Sequence, residues 1–224
     1  MKTTLKVGLM VPINNTTMEG ELTAWLPAGA RVHTIRIPRG KGMLTADSIP
    51  AYKAQALQLA RQFRAEGIDI LAYGCTAASF IAGPMEENAL TQELMEATGT
   101  PVVTTARAMV LALQDAQAQD VAVVTPYQDA VNEQIKVFLV DGGMRVRAFD
   151  SLYAKDVDEL GRIQGDAVAR IARKTMRDDC DAMFIACSQL PTFAILDQLY
   201  AEFDRPVLSS IQSTAWQLQR VLGV

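Results

Sequence analysis

Short apolar runs rich in β-branched residues alternate along this chain with longer stretches in which apolar positions recur every three or four residues. The first pattern marks strands buried on both faces, the second amphipathic helices. They predict strand 5–12, helix 16–26, strand 31–38, helix 47–66, strand 69–75, helix 84–98, strand 101–105 and helix 106–117. A second series follows: strand 120–126, helix 129–140, strand 144–149, helix 165–177, strand 182–187, helix 192–203, strand 206–209 and helix 214–222. Near-continuous apolar strands joined by helices imply parallel sheets with right-handed crossovers, and ligands bind such sheets beyond the carboxyl ends of their strands.

The two series repeat one another. Val7-Gly-Leu-Met-Val-Pro12 matches Val121-Ala-Val-Val-Thr-Pro126 at an offset of 114 residues, Cys75 matches Cys187 at 112, and Pro101-Val-Val-Thr-Thr matches Pro206-Val-Leu-Ser-Ser at 105. Three landmarks recurring in one order predict two similar α/β domains, each Rossmann-like with a parallel four-stranded sheet. A pseudo-two-fold relates them, and the active site lies between them. The division is placed near residue 115, giving an N-terminal half 1–115 with Cys75 and a C-terminal half 116–224 with Cys187. No Ser/Gly-rich linker separates them, so a tight pair is expected.

Half of the 224 residues are apolar, which would serve one large core or two small ones, and the repeat decides for two. The formal net charge is −4 with scattered basic residues, so no nucleic-acid partner is expected. The N-terminal residues lack a signal-peptide core and no run of about eighteen apolar residues occurs, so a soluble, cytoplasmic protein with no membrane partner is expected. Three cysteines without a CxxC pair, and a single histidine, exclude the usual Cys/His zinc cluster. Reduced thiols and no metal are the expectation.

Cys75 and Cys187 each end an apolar run and are followed by small or hydroxyl residues, so each thiol should stand where a strand opens into a loop. A thiol of ordinary pKa, about 8.5, is a useful nucleophile only when its thiolate is stabilised. His33 lies inside a predicted strand without the spacing of a Cys–His pair. The backbone N–H groups after each cysteine remain as candidate anion donors. A cysteine at a strand end can equally be a small core residue; Cys180, without a repeat partner, reads that way. Asn15 and its neighbours form a helix start that could also hold a carboxylate. Tyr127, directly after a strand-ending proline, would aim its hydroxyl at the same crevice. Arg36, Arg39 and Lys41 fall in or beside a Gly-rich loop that is either a lid or a solvated turn.

On Val11-Pro12-Ile13-Asn14-Asn15-Thr16-Thr17-Met18-Glu19, the loop around Cys75, Thr125-Pro126-Tyr127 and the strand into Cys187, the chain resembles the Asp/Glu racemase superfamily, in its maleate cis-trans isomerase and arylmalonate decarboxylase branch. The resemblance runs from about residue 5 to the C-terminus. It implies catalysis without metal or organic cofactor, a small carboxylate or dicarboxylate substrate, and a homo-oligomer. By position it implies Cys75 as nucleophile or first base and Cys187 as the second thiol that moves a proton. Asn15 and Tyr127 would hold carboxylates, with Thr76 and Ser188 in the oxyanion-binding loops. Arylmalonate decarboxylases carry glycine in place of the first thiol, so Cys75 argues against a dedicated decarboxylase. Val157 stands where maleate isomerases carry an asparagine, which leaves recognition of a second carboxylate open. The leading expectation is isomerisation of maleate to fumarate. The alternatives are a two-thiol racemase of aspartate, glutamate or an arylaliphatic acid, a decarboxylase-like enzyme, and a thiol redox switch or small-acid binding protein.

Overall fold

A computed structural model describes residues 4–224 of the chain. The first series folds as β1 (Lys6–Pro12), α1 (Met18–Trp25), β2 (Arg31–Ile37), α2 (Ile49–Ala60), α3 (Phe63–Glu66), β3 (Ile70–Tyr73), α4 (Thr76–Phe80), α5 (Pro84–Thr98), β4 (Val102–Thr104) and α6 (Thr105–Asp115). The second gives β5 (Asp120–Thr125), α7 (Asp129–Asp141), β6 (Arg145–Ser151), α8 (Val157–Arg162), α9 (Gly165–Thr175), β7 (Ala182–Ile185), α10 (Leu196–Phe203), β8 (Val207–Ser209) and α11 (Ser210–Leu222). The strands form two parallel four-stranded sheets with the same order, β2-β1-β3-β4 and β6-β5-β7-β8. The central strands β3 and β7 are buried at every position, as their uninterrupted apolar runs require. The edge strands β2 and β6 are exposed or half-buried at most positions, with only Ile35 and Ile37 buried in β2 and Ala148 and Ser151 in β6.

Two differences from the sequence reading bear on the site. The helix expected over 47–66 divides into a short 3-10 turn at Ala46–Ser48, α2 and α3. Short helices α4 and α8 occupy segments read as loops, where too few residues carry a period. Thr104 and Ser209, equivalent in the repeat, cap α6 and α11 by accepting the Arg107 and Gln212 N–H groups at 3.3 and 3.2 Å.

Helices α6 and α11 pack on each other, and each reaches across to the opposite half. Ile211, Ala215 and Leu218 of α11 join Val7, Leu9, Val11, Ile70 and Ala72 of the first sheet in one apolar cluster. Val110 of α6 sits over Gly142 at the end of α7, where a Cβ would come within 2.8 Å of its methyl group. This exchange fixes the halves against one another and turns the carboxyl ends of both sheets towards a shared cleft. No helix among the described residues is long and apolar enough to cross a membrane.

Candidate active site

Cys75 and Cys187 each lie two residues beyond the end of the third strand of their sheet, β3 and β7. Both thiols are free and buried, and both line one cavity of about 150 Å³ between the halves. An apolar cavity of about that volume accommodates benzene, so the space suits a compact molecule of a few heavy atoms. Pro12, Asn14, Asn15, Thr76, Tyr127, Ser188 and Gln189 also line it, and Met43, Leu44, Val131 and Leu160 supply apolar wall. Cys180 is buried before β7 and does not line the cavity. His33, on β2, pairs with Glu66 at the end of α3, also away from the cavity. Among the described residues no group of three His, Cys, Asp or Glu is placed to hold a metal ion.

The two thiols are reached by different backbones. Cys75 is extended (φ −122°, ψ 93°) and precedes α4 directly, which brings the Ala78 N–H of that helix's first turn to bear on its sulfur. Burial pushes its thiol up from the ordinary value, while the Ala78 N–H, the Arg39 charge and the Tyr52 hydroxyl pull the other way. Cys187 has a positive φ of 136°, a conformation that L-residues rarely adopt. The turn after it brings the Gln189 N–H to 3.5 Å from the Cys187 sulfur. Burial, with negative charge on Cys75 adding to it, pushes this thiol up to about 11 against relief from the Gln189 N–H and Tyr127. Charge on Cys75 is therefore felt at Cys187.

A network of small polar residues fixes both loops. The Thr76 hydroxyl and the Cys187 N–H both donate to Ser210 Oγ, at 3.1 and 3.0 Å, so the first turn of α11 ties the cysteine loops together. Ser188 Oγ donates to the Gly74 carbonyl at 2.7 Å. Gly74 is needed there, because a Cβ would lie 3.0 Å from the Met10 carbonyl and closer still to Val11 and Met18. The Asn15 amide donates to the Ser188 carbonyl and hydroxyl at 3.1 and 3.2 Å, while its oxygen accepts from Thr17 and Met18. Asn15 thus clamps the two halves, and its side chain is largely committed within the protein. Ser188 is likewise engaged.

The groups left uncommitted are informative. The Tyr127 hydroxyl is buried beside Cys187 and Thr76 without reaching hydrogen-bond geometry to either, and it has no partner among the described residues. The neighbouring Asn14 oxygen is equally unpaired. The Tyr52 hydroxyl is buried beside Cys75 and also unpaired; burial and the nearby thiol hold it protonated far above the ordinary tyrosine range. Buried donors without partners are costly unless a ligand takes them. Val157 does not line the cavity: it begins α8, buried, with its N–H on the Lys41 carbonyl at 3.2 Å. Of the other lining or neighbouring residues, Asn14, Gln189 and Arg39 fall in the segments read as carboxylate donors, anion donors and lid without a role of their own, and Tyr52 lies outside them. Asn14 and Gln189 adjoin residues it did assign, which was a usable signal. Tyr52 gave none, because it sits on a helix face that reads as core.

A small cavity holding two thiols, one from each of the repeated halves, invites comparison with known proteins. The maleate isomerase of Nocardia farcinica is 29% identical over 229 residues, covering 98% of this chain and 90% of its own. The crystal structure of the maleate isomerase Iso from Pseudomonas putida superposes with a TM-score of 0.93 at 25% identity, covering 99% of this chain and 94% of that one. A cysteine-to-serine mutant of the Nocardia farcinica maleate cis-trans isomerase, solved with a covalently bound succinylcysteine intermediate, superposes with a TM-score of 0.91 at 27% identity, covering 99% and 94%. The arylmalonate decarboxylase family model matches residues 7–224, and the chain belongs to that family.

Proposed function

We propose that this protein is a maleate cis-trans isomerase that works through its two cysteines. The observation that carries the reading is the pair of buried free thiols, one from each half, lining a single small cavity with the unpaired Tyr127 hydroxyl beside them. The Cys75 thiolate adds to one alkene carbon of maleate, forming a C–S bond, and the π-electrons move towards the far carboxylate. Tyr127 and the N–H groups following each cysteine stabilise that enolate-like charge. Cys187 delivers its proton to the second carbon, giving a succinyl thioether on Cys75. The former double bond is now single and rotates. The Cys187 thiolate takes a proton back from the second carbon, the C–S bond breaks, and fumarate leaves with the Cys75 thiolate and the Cys187 thiol restored. Atoms and electrons balance without an external acceptor. The succinylcysteine held by the Nocardia farcinica mutant is the adduct this sequence of steps contains.

A raised thiol is no obstacle, because only the first step needs one thiolate while the other sulfur must keep its proton. Cys75 has the helix N-terminus, a cation and a hydroxyl to favour its anion, and charge on Cys75 favours the protonated Cys187. Maleate mixed with the protein and followed by proton NMR tests the reading directly. The olefinic signal of fumarate should replace that of maleate, and its failure to appear would remove the assignment.

A further inference from the structure

Arg39 is the only formally charged side chain among those lining the cavity. It enters from the loop 38–45 after β2, which folds over the cleft: the Lys41 carbonyl accepts the Val157 N–H of α8 at 3.2 Å, and Met43, Leu44 and Thr45 form wall beneath it. Arg36 is spent elsewhere, on Glu19 at 2.9 Å and on the Asn15 carbonyl at 2.6 Å, and Lys41 faces Asp158 at 3.6 Å. Arg39 donates through Nη2 to the Gly42 carbonyl, but its Nε is buried without a partner, and no carboxylate among the described residues pairs with it. A guanidinium turned into an apolar-walled cavity without a counter-ion is stabilised by any carboxylate that enters. Arg39 also lines, with Tyr52, the pocket that adjoins this cavity, and Tyr52 is the hydroxyl beside Cys75, which puts the guanidinium on the Cys75 side.

A four-carbon dicarboxylate carries an anion at both ends. At the Cys187 end the site offers only neutral donors, led by the Tyr127 hydroxyl and the Gln189 N–H. Val157, covered by the loop, offers no polar side chain. We infer that Arg39 is a substrate-binding and specificity residue, holding the carboxylate beside the carbon that Cys75 attacks and selecting dicarboxylates over monocarboxylates. The inference rests on the maleate reading for the identity of the substrate, but its alkylation test does not.

Iodoacetate and iodoacetamide alkylate the same thiolate, releasing iodide, and differ only in the carboxylate. Their rate ratio at Cys75, read by peptide mass spectrometry, isolates attraction for an anion, since a change in thiolate population moves both rates together. Arg39→Gln should lower the iodoacetate-to-iodoacetamide ratio about fivefold or more, and Arg39→Lys should largely keep it. An unchanged ratio in Arg39→Gln overturns the inference; should that variant fail to fold, Arg39→Met answers the same question. With maleate, Arg39→Gln should raise KM about tenfold or more while kcat changes less, and the preference for maleate over its monoamide should shrink. An unchanged KM in a chain that converts maleate also overturns it. No turnover by the unsubstituted chain would instead remove the maleate reading and leave the alkylation ratio to decide.

Discussion

The Cys75 end and the Cys187 end of the cavity are built from the same topology and prepared for different chemistry. Both sulfurs stand two residues beyond a buried third strand, yet one precedes a short helix in relaxed extended backbone and the other sits at φ 136° in a tight turn. One has a cation and a phenol beside it, while the other has a phenol, backbone donors and the first sulfur. Duplication supplied two thiols facing one space, and divergence of the local backbone and of one loop gave them unequal electrostatics. That inequality is what a reaction needs when it calls for one thiolate and one thiol at once.

The sharpest way to break the comparison is to remove each sulfur in turn. Cys75→Ser should abolish fumarate formation, by about 10⁴-fold or more. Cys187→Ser should cost about 10²–10⁴-fold and leave an adduct of one maleate mass on Cys75, visible by intact-mass spectrometry. An adduct forming on Cys187 in Cys75→Ser would reverse the assigned roles. Tyr127→Phe removes the unpaired hydroxyl between the two ends and should lower kcat by about 10²-fold in a steady-state assay; an unchanged rate would mean that the backbone donors suffice.

The pH dependence sharpens the same contrast. Both folded-state thiols are raised, so each favours the proton: kcat/KM should climb by up to about tenfold per unit from pH 7 as Cys75 ionises, and turn down towards pH 11 as Cys187 loses its proton. The linked stability only falls as pH rises, because both thiols hold their protons more tightly in the folded state. It is fully present below the unfolded thiol value of about 8.5, and it is lost as pH rises through about 11, which denaturant titrations at pH 8 and above would register. The smallest effect concerns backbone strain. Cys187→Gly should be more stable than Cys187→Ala by about 1 kcal/mol in urea unfolding, because glycine adopts the positive φ without penalty; at Cys75 the same pair should run the other way.

Much of the site was legible because strand-ending cysteines, the Pro-Tyr turn and the Asn-Asn-Thr loop are contiguous patterns whose spacing repeats between the halves. Asn15 illustrates a limit: its residue type suits carboxylate binding, but its donors are taken by Ser188 across the cleft. Arg39 illustrates another. Three basic residues lie within six positions, and nothing local distinguishes the one that faces the cavity from the two that face Glu19 and Asp158.

The order of strands and helices, the duplication and the positions of both thiols follow from the sequence itself, since hydrophobic period and residue type are properties of neighbours along the chain. Tertiary structure alone decided that α6 and α11 cross to the opposite halves, that Ser210 joins the two cysteine loops, and that Arg39 turns inward while Val157 lies beneath the loop. Those are contacts between residues distant in sequence, and they are set by which buried faces and polar groups find partners once both sheets have closed on the cleft.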